Sequence, residues 1–389
     1  MGLISRRALL GGLAAAPLLP AGRAGAQRFL IPRGSGRIAL QDGRLWMEVR
    51  IGERGPWPFV IDTGTNVNLI RADLARELGL RMLGTLNMEG IGGTVTAARY
   101  LGRDVRLSEV AVGDMVFAGQ AAGLNIHRAA MGALSAYVLT FADAELDFEA
   151  QAWRIQPEGI EARPGYQMLP SVIARARPGT GASPIFIDAV IGGQTYRLQA
   201  DTGSPAPLHL WPRAVRRSGL WDNGRPFAPV RPGGIGGDGE RARVMRVGDV
   251  GIGGLHFPNM LAVADNPRNA SVHREDGLIG LPLLQRMNLS TDLRRGRLWA
   301  RINALPAPAE RYGLSGLWVD PAGGGLAVVE VSPASPAAEA GLRVGDVIPD
   351  IGLDAFLARL AGRPGDAVEI DYRRGSEVRR ARLVLRAFL

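Results

Sequence analysis

The chain has 389 residues, 46% of them hydrophobic, which is enough for two or three domains with buried cores. It contains no Cys, which excludes disulfides, Cys-ligated zinc, iron–sulfur clusters and thiol nucleophiles. The formal net charge is +9, and every basic residue except the four His is Arg, spread along the chain without interleaved aromatic residues. Nucleic-acid sites need clustered positive charge, so we expect no nucleic-acid partner. The His residues are scattered too, so we expect no metal site and no cofactor.

The first 26 residues have the pattern of an export signal. Arg6 and Arg7 precede the apolar run 8–19, and small residues at 24–26 supply a cleavage site. The Ser-Arg-Arg pattern is typical of twin-arginine signals, with an ordinary secretory signal as the alternative. The apolar run is too short for a stable membrane span. We therefore expect a bacterial protein that is periplasmic or secreted, with no stable membrane span.

The rest of the chain contains an internal repeat with the same motifs in the same order. Each copy has an apolar strand ending in Asp-Thr-Gly, then a glycine run around an Ile, and later a Trp-containing strand. Short apolar runs between Gly- and Pro-bearing turns are typical of strands. The sequence therefore predicts a mainly β fold with two pseudo-symmetric lobes, residues 27–157 and 165–305, joined by a polar linker at 157–164.

One short helix is expected after each Asp-Thr-Gly motif. In the first lobe it covers Arg71–Leu80, where Leu74 and Leu78 share one face, and in the second it covers Pro212–Leu220.

The paired aspartates Asp62 and Asp201 are the candidate catalytic residues. A two-fold-related pair of lobes brings the same residue of each lobe to the axis. Two carboxyl groups held that close cannot both ionise, so they share one proton. The ionised member can then take a proton from a bound water while the protonated member polarises a carbonyl group. A duplicated turn without chemistry is the alternative.

The residues that follow the two aspartates are expected to support them. The glycines let backbone N–H groups approach the carboxylates, and the hydroxyls of Thr65 and Ser204 are expected to hydrogen-bond the outer carboxylate oxygens. The threonines next to the aspartates are expected to bond across the axis. The supporting residues are Thr63, Gly64, Thr65, Thr202, Gly203 and Ser204.

Asp-Thr-Gly-Ser/Thr, then Gly-Ile-Gly-Gly, then an apolar-apolar-Gly strand resembles a retropepsin subunit twice over, across about 37–155 and 184–302. In that family the Asp is catalytic, and the glycine-rich segment is the tip of a hairpin flap that closes over the substrate. The resemblance implies an aspartic endopeptidase that acts on polypeptides as a monomer with an internal pseudo-dimer. Its flap tips would be Gly90, Ile91, Gly92 and Gly93, and Gly234, Ile235, Gly236 and Gly237. Plain hairpin turns are the alternative, and Ser135 and Gln199 depart from the pattern.

Residues 310–389 follow a Pro/Ala-rich hinge at 304–310 and differ from the repeat. Ser-Pro-Ala, followed by Ala-Gly-Leu-x-x-Gly-Asp-x-Ile at 340–348, resembles the PDZ domains of bacterial proteases. The resemblance implies an α+β domain with a helix over Leu353–Ala361 and strands over Val368–Tyr372 and Arg379–Leu385. Such a domain adds an extended peptide to a strand edge and holds its terminal carboxylate. The candidate carboxylate loop is Gly313, Leu314, Ser315, Gly316 and Leu317, with a plain loop as the alternative.

Together these patterns predict an exported aspartic endopeptidase whose PDZ domain, through a peptide or C-terminal ligand, recruits substrate or regulates the enzyme. The alternative is a catalytically silent peptide-binding or scaffolding protein built on the same fold.

Overall fold

The computed structural model describes residues 33–120, 127–176, 181–222, 224–270 and 273–389. The predicted export signal, residues 1–26, lies outside this part of the chain. Strands dominate the described residues and the helices are short, so the prediction of a mainly β fold is confirmed. In the same residues, no helix has the length and apolar character needed to cross a membrane.

The described residues of the first lobe form eleven strands and two short helices. They are β1 (Gly34–Arg37), β2 (Ala39–Gln41), β3 (Arg44–Ile51), β4 (Arg54–Ile61), β5 (Asn68–Arg71), α1 (Ala72–Glu77), β6 (Arg81–Gly90), β7 (Gly93–Leu107), β8 (Val110–Gln120), β9 (Gly132–Leu134), α2 (Tyr137–Thr140), β10 (Asp143–Asp147) and β11 (Ala152–Gln156).

In the second lobe, the part of the chain that the structure describes forms thirteen strands and two short helices. They are β12 (Gln167–Met168), β13 (Ser171–Ile173), β14 (Ile185–Ile191), β15 (Gln194–Asp201), β16 (Leu208–Leu210), α3 (Pro212–Ser218), β17 (Ala228–Val230), β18 (Gly233–Gly234), β19 (Gly237–Asp238), β20 (Ala242–Ile252), β21 (Leu255–Asp265), β22 (Gly277–Gly280), α4 (Leu281–Leu284), β23 (Met287–Asp292) and β24 (Arg297–Ile302).

The main sheets of the two lobes correspond strand by strand. The order is β2-β3-β4-β9-β5-β8-β7-β6 in the first lobe and β13-β14-β15-β22-β16-β21-β20-β17 in the second. In both, the strand that leads to the candidate aspartate pairs in parallel with a short later strand, β4 with β9 and β15 with β22. The topology therefore places Asp62 and Asp201 at equivalent positions.

The helices that follow the aspartate motifs are shorter than the sequence predicted. The first, α1, ends because Gly79 adopts a left-handed φ of 63°. The Gly79 and Leu80 N–H groups then donate to the carbonyls of Arg76 and Ala75, which closes the helix end. Gly219, with φ 66°, ends α3 in the same conformation.

A third sheet joins the lobes. Its order is β1-β11-β10-β23-β24-β12, and β10 of the first lobe pairs antiparallel with β23 of the second. The buried Asn288 side chain accepts from Phe148 N (3.0 Å) and donates to Asp147 Oδ1 (2.8 Å). The Thr291 hydroxyl accepts from Ala144 N (2.9 Å). The lobes are thus connected by backbone pairing and buried side-chain bonds as well as by the chain between them.

The predicted linker at 157–164 packs against this sheet. The Arg163 side chain is only 5% exposed and forms an ion pair with Asp143 (3.3 Å). It also donates to Ser290 Oγ (3.0 Å) and to the carbonyl of Thr291 (2.5 Å). A polar, Pro-bounded composition predicted a simple connection, but the buried Arg fixes the segment in place.

The C-terminal module has a separate five-stranded antiparallel sheet in chain order and a core around Phe356. Its elements are β25 (Leu317–Ala322), β26 (Gly325–Val331), α5 (Pro336–Glu339), β27 (Val347–Pro349), α6 (Leu353–Leu360), β28 (Ala367–Arg374) and β29 (Glu377–Val384). The helix predicted over Leu353–Ala361 is present and ends one residue earlier.

This module is held against the second lobe. Arg246 forms a two-pronged ion pair with Glu310 (2.5 and 2.9 Å), and Phe227 N donates to Ser332 Oγ (2.8 Å). The segment 304–310, expected as a hinge, is therefore fixed at its end. Its final residues, with Arg311, form part of the wall of the cleft between the lobes.

Candidate active site

The two aspartates meet at the floor of a cleft of about 1900 Å³ between the lobes. Asp62 follows β4, and its N–H donates to the carbonyl of Leu134 on β9 (2.7 Å). Asp201 ends β15 and lies opposite Gly280 on β22. The two carboxyl groups are in hydrogen-bonding contact with each other. The structure therefore brings together the pair of residues that the repeat predicted.

Thr63 and Thr202 connect the two aspartate loops through reciprocal hydrogen bonds. Thr63 N donates to Thr202 Oγ1 (3.1 Å), and Thr202 N donates to Thr63 Oγ1 (3.0 Å). Each hydroxyl then donates to a carbonyl of the opposite lobe, Thr63 to Ala200 (2.9 Å) and Thr202 to Ile61 (2.8 Å). Both side chains are buried. These four bonds set the distance between the loops.

Gly64 and Gly203 make room for the carboxyl group of the opposite lobe. A Cβ at Gly64 would lie 2.4 Å from Cγ of Asp201, and a Cβ at Gly203 would lie 2.4 Å from Cγ of Asp62. Real Cβ atoms do not approach other atoms so closely. Only glycine at both positions allows the carboxyl groups to meet.

The surroundings of the two carboxyl groups differ. Burial raises the pKa of Asp62 well above its usual range, and the neighbouring Asp201 charge raises it further. Burial also raises the pKa of Asp201, but the hydrogen bond with Asp62 and two backbone N–H groups oppose this effect. Those N–H groups, of Gly203 (2.8 Å) and Ser204 (3.1 Å), donate to Asp201 Oδ1, whereas the bond that Asp62 Oδ1 accepts from Gly64 N is longer (3.2 Å). These bonds favour the ionised form at Asp201 more than at Asp62, and the pair holds one proton between its two carboxyl groups.

The expected bonds from the Thr65 and Ser204 hydroxyls to the outer carboxylate oxygens are absent among the described residues. The Thr65 hydroxyl lies 3.2 Å from the carbonyl of Asp62 and 3.1 Å from that of Val67, and the Ser204 hydroxyl lies 3.5 Å from the carbonyl of Ala206. The turn after each aspartate offers the hydroxyl nearer backbone acceptors, and backbone N–H groups already donate to the carboxylates. These hydroxyls stabilise the loops and do not contact the carboxyl groups.

Sequence reasoning missed two polar side chains that cross the axis. Gln199 donates from Nε2 to the carbonyl of Gly64 (3.0 Å), and Arg44 donates to the carbonyl of Gly203. In the sequence, Gln199 stands out only as a departure from an apolar strand. A polar residue in a half-buried strand is itself a signal that a buried acceptor lies nearby. Arg44 follows a two-residue Asp-Gly turn, and nothing in its local sequence indicated that it faces the other lobe.

The two predicted flap tips touch each other above the aspartates. The tip at 90–93 turns between β6 and β7, and the tip at 234–237 turns between β18 and β19. Gly92 N donates to the carbonyl of Ile235 (2.9 Å). The Ile235 side chain packs on a first-lobe apolar cluster that includes Val67 and Met88. Ile91 in turn contacts Gly239.

Residues 47–134 match the aspartyl protease family, by a family model described as "Aspartyl protease". The matched region contains Asp62 and the first of the two predicted flap tips. Among solved structures, the chain is similar to the crystal structure of an aspartic proteinase from Irpex lacteus, at 11% identity and a TM-score of 0.43. That likeness covers 70% of this chain and 98% of the other. No curated protein matches the sequence.

The flaps are unequal although their motifs are alike. The first is built on the long strands β6 and β7, whereas β18 and β19 have two residues each. Pro226, Pro229 and Pro232 precede the second tip, and proline lacks the N–H group that a long ladder needs. The second flap is therefore a short projection that meets a longer one.

Gly92→Ala is expected to impair closure of the flaps without unfolding the protein. The added Cβ would lie 2.3 Å from the backbone nitrogen of Gly237, so the tips must separate. We expect peptide hydrolysis to fall by about 10–100-fold, with an unchanged unfolding midpoint. Gly251→Ala is the matched control, because the nearest atom to its added Cβ is 3.8 Å away. Equal activity of the Gly92→Ala and Gly251→Ala variants would show that the flap contact is not needed.

The candidate carboxylate loop, 313–317, is not part of the cleft wall and leads into β25, an edge strand. The carbonyls of Ser315 and Gly316 accept bonds from Ala337 N (3.0 Å) and Ser332 N (2.9 Å), and Gly316 has a left-handed φ of 67°. Leu317 N donates to the Ser315 hydroxyl (3.3 Å). The loop is thus tied to the start of α5. In the described part of the chain, no group of three or more acidic or His side chains is arranged to hold a metal ion.

Proposed function

We propose that this protein is an exported aspartic endopeptidase that hydrolyses peptide bonds with a water activated by Asp201. The observation that carries the proposal is the contact between two carboxyl groups, delivered by equivalent loops, at the floor of a large cleft. The match of residues 47–134 to the aspartyl protease family supports the same class of activity. Export rests on the sequence pattern of residues 1–26.

The proposed reaction follows from the unequal surroundings of the carboxyl groups. The Asp201 carboxylate takes a proton from a water bound between the pair, and the water oxygen bonds to the carbonyl carbon of the peptide. Asp62 donates its proton to the carbonyl oxygen, which becomes a hydroxyl of the tetrahedral intermediate. The proton on Asp201 then passes to the peptide nitrogen, the C–N bond breaks, and Asp62 recovers its proton as the new carboxyl group forms.

The closed flaps give this reaction a dry site. Ile91 and Ile235 lie at the two tips, and the N–H of Gly92 donates to the carbonyl of Ile235 (2.9 Å). Opening must separate the tips to admit an extended polypeptide, and closing excludes bulk water from the carboxyl pair.

We further propose that the C-terminal module acts as a PDZ-like site that docks extended peptides. Its edge strand β25 begins at Leu317, the last residue of the loop 313–317, and contacts α6. Trp318 on β25 lies against Arg231 (5.3 Å) and Arg241 (5.8 Å), which flank the second flap. A peptide held along β25 would lie beside the cleft, which favours recruitment of polypeptide substrates.

The decisive experiment incubates the purified protein with an unfolded polypeptide at mildly acidic pH and identifies the products by mass spectrometry. We expect internal cleavage that is blocked by a statine-type transition-state mimic and unaffected by a metal chelator. Loss of cleavage with the chelator would indicate another mechanism. Binding of the mimic without any cleavage would favour the alternative, a silent peptide-binding protein.

A further inference from the structure

Arg44 is placed at the candidate active site by a tight hairpin. Asp42 and Gly43 form the turn between β2 and β3, with left-handed φ values of 53° and 69°. Arg44 is the first residue of β3, and its half-buried side chain reaches the cleft. There the guanidinium donates to the carbonyl of Gly203, two residues after Asp201 on the opposite lobe. A first-lobe cation thus contacts the second aspartate loop.

The charge of Arg44 acts on the carboxyl pair. Its positive charge lowers the pKa of both Asp62 and Asp201, against the effect of burial. Among the described residues, no carboxylate forms a salt bridge with Arg44, and its hydrogen bond is to a neutral carbonyl. The single negative charge of the aspartate pair is therefore the charge that Arg44 balances.

Other charged side chains line the cleft. Asp42 lies in the turn beside Arg44, Glu89 lies on the first flap, and Arg231 and Glu275 belong to the second lobe. Arg197 on β15 is paired with Asp188 at 2.8 Å. None of these residues is a main influence on the pKa of either aspartate, whereas Arg44 influences the pKa of both.

We propose that Arg44 is a positioning residue that anchors the Asp201–Gly203 loop across the axis and sets the upper pH limit of activity by balancing the charge of the aspartate pair. The inference rests on the proposed function. It goes beyond the pair itself, because the two lobes are asymmetric here: the corresponding carbonyl, of Gly64, is contacted by the neutral side chain of Gln199. The first lobe thus supplies a positively charged donor, Arg44, and the second lobe supplies a neutral donor, Gln199.

The direction of the effect follows from the shared proton. Activity is lost at high pH when that proton leaves, and a nearby cation favours its departure. Removing the cation therefore makes the pair hold its proton to higher pH. Arg44→Gln, which keeps a donor and loses the charge, is expected to move the alkaline limb of the kcat/KM profile upward by about 1–3 pH units.

The test compares pH profiles of wild type, Arg44→Gln, Arg44→Lys and Arg50→Gln. Arg44→Lys keeps the charge, so its alkaline limb is expected to stay near that of wild type. Arg50 is the matched control, because it lies on the same strand about 20 Å away and donates to the carbonyl of Gly55. An alkaline limb that stays in place in Arg44→Gln, or moves equally in Arg50→Gln, would overturn the inference.

A second measurement separates this inference from the proposed function. The carboxyl carbons of Asp62 and Asp201 are titrated by NMR in protein labelled with ¹³C-aspartate and assigned by their Asn variants. If wild type does not cleave but Arg44→Gln raises the titration midpoint of the pair, only the proposed function fails. If wild type cleaves and neither the pH profile nor the titration moves, only the role of Arg44 fails.

Discussion

Asp201→Asn is expected to abolish peptide hydrolysis, with kcat reduced by about 10³-fold or more. The asparagine amide cannot take a proton from water, although it can fill the same space and meet the Gly203 N–H group. The kcat of Asp62→Asn is expected to fall as far, because the substitution removes the proton that Asp62 gives to the carbonyl oxygen. The measurement is single-turnover cleavage of a fluorogenic peptide that wild type cuts.

Asp104→Asn is the matched control for these variants. It makes the same chemical change at an exposed residue with a left-handed φ of 50°, a conformation that asparagine also accepts. We expect its kcat to equal that of wild type. Full activity in either the Asp62→Asn or the Asp201→Asn variant would contradict a mechanism in which the two residues share one proton.

The loss of activity in Asp62→Asn should not come from unfolding of the protein. The folded-state pKa of Asp62 is raised, so the stability that this carboxyl group contributes is present below its unfolded pKa and is lost as the pH rises through the folded value. At neutral pH the variant should therefore be at least as stable as wild type. Thermal unfolding at acidic and neutral pH checks this sign, since the advantage of asparagine should shrink in acid.

Thr202→Val is expected to reduce both stability and activity. The substitution keeps the shape of the side chain but leaves Thr63 N without its acceptor and the carbonyl of Ile61 without its donor. A buried polar group that loses its partner costs about 1–3 kcal/mol. The aspartate loops then lose half of the bonds that set their separation, so kcat should fall together with the free energy of unfolding.

Thr202→Ser is the comparison that assigns this loss to the hydroxyl. Serine retains both bonds and removes only a methyl group, so denaturant unfolding and kcat are expected to stay close to wild type. If Thr202→Val is as stable and as active as Thr202→Ser, the reciprocal threonine bonds do not hold the lobes in register.

Much of the site was predictable because it depends on local chemistry repeated twice. An apolar strand followed by Asp-Thr-Gly indicated each aspartate loop, and the repeat indicated that Asp62 and Asp201 would meet. The order of strands in the two lobes also follows from repetition, since equal patterns fold in equal ways. The PDZ resemblance and the export signal stay predictions.

What the sequence could not predict depends on contacts between distant segments. Ser135 replaces the glycine of the second lobe because the Asn68 side chain accepts from both its N–H group and its hydroxyl (2.9 Å each). At the equivalent Gly280, a Cβ would lie 1.9 Å from the carbonyl oxygen of Ala206. The roles of Arg44 and Gln199 likewise depend on acceptors about 130–160 residues away in the chain. No local pattern carries that information.

Both lobes belong to one chain, and β10 pairs with β23 within it, so the meeting of the two carboxyl groups is an intramolecular event. Two separate subunits would have to associate, and dilution would dissociate them. Here the second half is always present at the effective concentration of a tethered partner, whatever the concentration of the protein. Each folded chain therefore carries one complete pair of aspartates, and evolution can change one half without imposing the same change on the other, as the Arg on one side and the Gln on the other illustrate.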